Sequence, residues 1–201
     1  MKFLFAILMT LTLCNSGCNN PFTAAERTII GTGNDMMRVT TIDNEADSTL
    51  LRRTSRPLRK KDVLSEEFTT LCRRMLSTVQ NPENEGVGIA APQVGILRRV
   101  VAVQRFDKPG EPFEFYVNPK IVEYGDEMEY GGEGCLSVPE QSGDVLRSQS
   151  IQIEYRDSNF DLRTEAIEGF TAVIFQHEID HLDGILFIDR MDDDEEEYFE
   201  E

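Results

Sequence analysis

The segment Gln176-His177-Glu178-Ile179-Asp180-His181-Leu182 carries both histidines of the chain. Residues four apart share one face of an α-helix, so this spacing can aim two imidazoles at a single metal ion. Glu178 follows the first histidine directly, where its carboxylate can reach a metal-bound water without being a ligand. Apolar Val173, Ile174, Phe175, Ile179 and Leu182 flank the motif. The same letters would also suit a surface helix with no ligand. A third ligand, and the groups that handle a substrate, must come from elsewhere in the chain.

The chain has 201 residues, enough for one domain with extensions and a proper core. Its formal net charge of -17 argues against nucleic-acid binding through general electrostatics. Much of that acid lies from Asp189 onwards, where a solvated tail over 191–201 is expected. The basic cluster Arg52, Arg53, Arg56, Arg59, Lys60 and Lys61 has no interleaved aromatics and reads as a solvated loop.

At the other end, Lys2 precedes the apolar run Phe3 to Leu13 and then Cys14-Asn15-Ser16-Gly17-Cys18. This is the plan of a secretory leader, too short for a membrane span. Ser16-Gly17-Cys18 also resembles the end of a bacterial lipoprotein signal, although Asn15 stands where that signal is usually apolar. The expectation is therefore a leader over 1–20 and an exported protein, periplasmic or anchored to the membrane through lipid on Cys18 alone. A cytoplasmic protein follows if the leader reading is wrong. Polar 21–48 reads as a linker to a folded body over 49–190.

Within that body, Asp62 or Ser65 caps a helix in which Phe68, Leu71, Cys72, Met75, Leu76 and Val79 recur at helical spacing. Cys72 belongs to that apolar stripe. Gly86 to Gly95 is a run of small residues without a phosphate-loop pattern, suited to close approach by another backbone, with Gln93 presenting an amide. Strands are expected at Arg99 to Val103, at Phe113 to Val117 and Lys120 to Tyr124, at Ser148 to Arg156, and at Asp161 to Ala166. Glycines before Cys135 suggest an open turn that exposes a thiolate. Beside a two-histidine helix, that cysteine is the natural third ligand. The helix itself should run from Phe170 to Leu182 and stop at Gly184.

Three segments in this order, Gly86 to Gln93, Glu133 to Ser137 and Gln176 to Leu182, resemble the peptide deformylases. That family carries Gly-x-Gly-Leu-Ala-Ala-x-Gln, Glu-Gly-Cys-Leu-Ser and Gln-His-Glu-x-Asp-His-Leu. Ile89 replaces the usual leucine. The resemblance implies an α+β fold, with antiparallel β-sheets around a central helix that carries the His-Glu-x-x-His motif. It implies one divalent ion, ferrous iron or a substitute such as zinc or nickel, held by Cys135, His177 and His181. Three protein ligands and an open position form the catalytic arrangement, whereas four would be structural.

By the same resemblance, Glu178 moves the proton, while the Leu136 backbone N–H and the Gln93 amide stabilise the oxyanion. The substrate is an N-formyl-methionyl peptide, and formate is released. Ile89, Phe170, Val173 and Ile174 form the methionine pocket, and the peptide adds as a strand near Gly88. Glu133 and Arg147 match an ion pair bracing the cysteine loop.

Ser142 stands where many relatives are basic, and the segment after Leu186 is short and acidic. An exported enzyme would meet formyl-peptides outside the cytoplasm, or a different N-formyl or N-acyl substrate. Two other readings compete. A zinc endopeptidase would usually take a third histidine or glutamate on or just after the helix, where only Asp180, Asp183 and Asp189 stand. A peptide-binding lipoprotein of the same fold would not need Glu178 and Gln93.

Overall fold

Strands whose two faces are both covered read as unbroken apolar runs, and Val100–Gln104 is one of these. In the computed structural model, which describes residues 22–84 and 86–191, it is the second strand of a five-stranded antiparallel sheet. The strands are β1 (Gly88–Ala90), β2 (Val100–Gln104), β3 (Phe113–Tyr124), β6 (Ser150–Arg156) and β7 (Leu162–Glu168), in the order β1-β2-β3-β6-β7. A separate hairpin pairs β4 (Met128–Cys135) with β5 (Val138–Ser148).

The helices are α1 (Ala24–Gly31), α2 (Glu45–Leu51), α3 (Lys60–Val63), α4 (Glu66–Val79) and α5 (Gly169–Asp183). Period-2 alternation sorts the side chains of β1 and β2 between two cores. Ile89, Val100 and Ala102 pack with Phe68, Leu71, Met75 and Val79 of α4. Ala90, Val101 and Val103 pack with Ala172, Ile174, Phe175 and Ile179 of α5. Helix α5 has little amphipathic character because it is covered nearly all round. Its end is steric as well as conformational. Gly184 has φ 80°, and a Cβ there would meet the Arg52 carbonyl oxygen at 2.5 Å.

Four expectations change. Within 21–48, the described residues are not a linker. Thr23 caps α1, and Phe22 and Ile30 are buried in the α4 core. Arg74, itself buried, donates to the carbonyls of Ile29, Ile30 and Met36 at 2.9, 2.7 and 3.0 Å. Sparse apolar residues without periodicity hide such packing, because a distant arginine satisfies the backbone. Phe113 to Tyr124 is one strand rather than two. Asn118 takes φ 51° where the register slips, and its side-chain amide bonds the backbone of Leu58 on both sides. The Ser148 to Arg156 run is divided at Gln149 between hairpin and sheet. Cys135 lies at a strand end, and the glycines before it pair in β4.

The leader with Cys14 and Cys18, and the acidic stretch 192–201, lie outside the described residues. No helix among the described residues is long and apolar enough to cross a membrane.

Candidate active site

Helix α5 sets His177 and His181 one turn apart, with ring centroids at 5.0 Å. The hairpin brings Cys135 to them. One ligand atom from each of the three residues lies within 4.8 Å of the others, and Cys135 Sγ is 3.2 Å from His181 Nε2. Burial pulls the His181 imidazole well below its ordinary pKa. Burial also opposes charge on His177, yet hydrogen bonds with Cys135 and Glu133 outweigh it and raise that ring to about 10. The surroundings thus favour a positive charge beside Cys135 and Glu133, which a proton or a divalent cation can supply. One sulfur and two imidazole nitrogens suit ferrous iron, nickel or zinc.

A chain of charges orients the His177 imidazole. His177 Nδ1 lies 2.7 Å from Glu133 Oε2, so with Nδ1–H donating, Nε2 is the nitrogen left for a metal. Arg147 donates through Nε and Nη2 to Glu133 at 2.7 and 3.1 Å, and through Nη1 to Asp180 at 2.6 Å. Arg190 closes the chain on Asp180 with two hydrogen bonds of 2.5 Å. Burial alone would raise the Glu133 carboxyl, but His177 and Arg147 hold it down to about 2. Asp180 and Arg190 were not foreseen as parts of this brace. Asp180 sits three residues after His177, but nothing local says that Arg147 would reach it.

Glu178 is buried on the cavity wall, and its Oε2 has no hydrogen-bond partner among the described residues. Burial pushes its carboxyl up to about 7, with His177 pulling the other way. Such a group can hold or release a proton near neutral pH. It also explains Gly88, since a Cβ at that position would meet Glu178 Oε1 at 2.4 Å.

Gln93 occupies the short 3₁₀ turn Ala91–Val94 and is buried. Its Oε1 accepts the Ala90 N–H at 2.8 Å, which turns Nε2 towards Cys135 Sγ at 3.5 Å. Leu136 follows Cys135 in the hairpin turn and lines the same cavity. A segment missed from sequence ties these two places together. Thr40 N–H donates to the Gln93 carbonyl at 2.8 Å, Thr40 Oγ1 to the Pro92 carbonyl at 3.0 Å, and Ile42 N–H to the Ser137 carbonyl at 2.9 Å.

The cavity has a volume of about 510 Å³, with Gly88, Phe170, Val173 and Ile174 on its wall. Ile89 is not there. Strand alternation turns it fully into the α4 core, and Val87 lines the cavity instead. Phe170 is half exposed and stacks at a tilt on Phe106, with centroids 5.4 Å apart. Cys72 stays apart from this chemistry, packed at the α4 core, where burial pushes its thiol up to about 12.

A family model described as polypeptide deformylase matches residues 36–197. A peptide deformylase of Leptospira biflexa is 37% identical over 149 residues, which cover 71% of this chain and 82% of the relative. Peptide deformylase 2 of Clostridium acetobutylicum is 43% identical over 144 residues, covering 72% and 90%. Among solved structures, a class I type b peptide deformylase from Acinetobacter baumannii with Met-Ala-Ser bound aligns with a TM-score of 0.69 and 35% identity. That alignment covers 78% of this chain and 98% of the other. Peptide deformylase from Thermotoga maritima aligns with a TM-score of 0.68 at 35% identity, over the same shares.

Proposed function

The chain belongs to the peptide deformylase family, and from that premise we propose that Cys135, His177 and His181 hold the divalent ion on which the reaction depends. It is a metal-dependent hydrolase that removes the N-formyl group from peptides. Its fold is the family's α+β arrangement of antiparallel sheets around a central helix. The site assignment rests above all on three donor atoms within 4.8 Å of one another, two of whose residues, Cys135 and His177, stand in the wall that also carries the buried Glu178.

The residues divide the work as follows. The N-formyl-methionyl peptide adds as a strand along the outer side of β1, the edge of the sheet, near Gly88. Its first side chain runs along α5 past Ile174 and Val173 to Phe170, with Val87 opposite. Held by Cys135, His177 and His181, a divalent ion would supply Lewis acidity that brings the pKa of a water towards neutrality. Glu178 takes the proton of the attacking water and hands it to the amine nitrogen as the C–N bond breaks. Gln93 Nε2 and the Leu136 N–H donate to the formyl oxygen while it carries negative charge. Ferrous iron is the proposed ion, with zinc and nickel suiting the same donors.

Export is proposed on the pattern of Met1 to Cys18, with Cys18 as the lipid-bearing residue. Mass spectrometry of the protein from its own cells tests this. A mature chain starting at Met1 in the cytoplasm overturns it.

The activity test is formate release from formyl-Met-Ala-Ser by protein purified without oxygen, beside Glu178→Ala. Loss of general acid–base help should lower kcat by about 10² to 10⁴ in that variant. Metal-loaded protein that releases no formate from any formyl-peptide would sink the assignment.

A further inference from the structure

The substrate cavity does not end at Phe170. A second chamber of about 230 Å³ adjoins it, and Gly132, Phe170 and Val173 line both. Its remaining wall is Gly131 and Val145 with Glu129, Tyr130, Arg147 and Gln149, and the Gln149 carbonyl accepts the N–H of Gly169 at the first turn of α5. Going back along α5 from His177, this chamber is reached at Val173 and Phe170, which also line the cavity. It therefore prolongs the line on which the first side chain of the peptide lies.

Gly131 keeps the chamber open. The hairpin register sets Gly131 opposite Val145 and Glu133 opposite Gly143. Residues two apart on a strand share a face, so Gly131 faces the same way as Glu133, whose carboxylate touches α5. A Cβ built on Gly131 meets nothing within 4 Å. Its φ is not among the positive ones, so the backbone there accepts any L-residue. What glycine contributes at this position is space.

We propose that Gly131 sets the length of side chain accepted at the first residue. The chamber receives unbranched side chains longer than that of methionine, and formyl-peptides beginning with such residues are substrates. The inference rests on the deformylase reading of the same site.

Two peptides test it, formyl-norleucyl-Ala-Ser, which matches methionine in length, and formyl-2-aminooctanoyl-Ala-Ser, which is two methylenes longer. The readout is the ratio of kcat/KM, longer over shorter, for metal-loaded protein. Dissociation constants of the two deformylated products, from calorimetry, are read in parallel. Burying a methylene is worth about fourfold, so the native ratio should be at or above unity and Gly131→Val should lower it at least about fivefold. Gly131→Ala should lower it about twofold and serves if the valine variant does not fold. A native ratio below unity, or a smaller shift in the variants, overturns the proposal. Absence of turnover with both peptides, alongside length-selective product binding, would strike the deformylase reading and leave the chamber standing.

Discussion

Glu133 Oε2 lies 2.7 Å from His177 Nδ1, and the other side of the same carboxylate is held by Arg147. The hairpin thus supplies both a proposed ligand, Cys135, and the group that aims His177, the proposed ligand on a different element. Orientation of an imidazole by such a carboxylate is what makes a three-ligand site tight.

Replacing Glu133 by alanine should weaken metal binding about 10- to 100-fold, read by competition with a chromogenic chelator. It also leaves the buried Arg147 with one carboxylate partner fewer, so stability should fall by about 3 kcal/mol in denaturant titration. Unchanged metal affinity would show that His177 needs no such partner.

Gly88→Ala should displace the Glu178 carboxylate, because the new Cβ would meet Oε1 at 2.4 Å. Turnover should drop at least about tenfold while metal content stays at the native level, since none of the proposed ligands is touched. Full activity in this variant would mean that Glu178 can turn aside freely.

The Glu178 carboxyl is raised from its ordinary 4.5 to about 7 by burial. In the metal-free protein, the folded state therefore holds this proton after the unfolded chain has released it. The group costs no stability below pH 4.5, and its penalty grows as pH rises to 7 and then levels off. Glu178→Gln should accordingly stabilise the metal-free protein at pH 8, by about 3 kcal/mol at most, and change little at pH 4. Thermal melts of both proteins across that range are the measurement, and an equal effect at both ends would contradict the assignment.

Thr40 holds the turn that carries Gln93, through its N–H and its hydroxyl. Loss of the hydroxyl in Thr40→Val should lower kcat about tenfold with KM nearly constant if the affected Gln93 amide serves the developing oxyanion as proposed. Thr40→Ser keeps the hydroxyl and should recover most of the rate. Equal losses in both variants would reduce Thr40 to a packing residue.

Residue type and spacing in the chain alone were enough for the helix that carries both histidines, its stop at Gly184, the meeting of Cys135 with that helix and the α4 stripe. These are local patterns, in which a 3.6-residue period or a motif of a few residues carries the physical constraint. The side on which Ile89 and Val87 fall was not legible, because a three-residue strand has no period long enough to reveal its faces. Nor was the packing of 22–48, where Arg74 satisfies carbonyls more than thirty residues away. The brace from Arg190 through Asp180 and Arg147 to Glu133 joins a strand hairpin to α5 and the chain beyond it. Only the folded chain brings those charges together and buries most of them, and burial is what turns scattered charges into the orientation of the His177 imidazole.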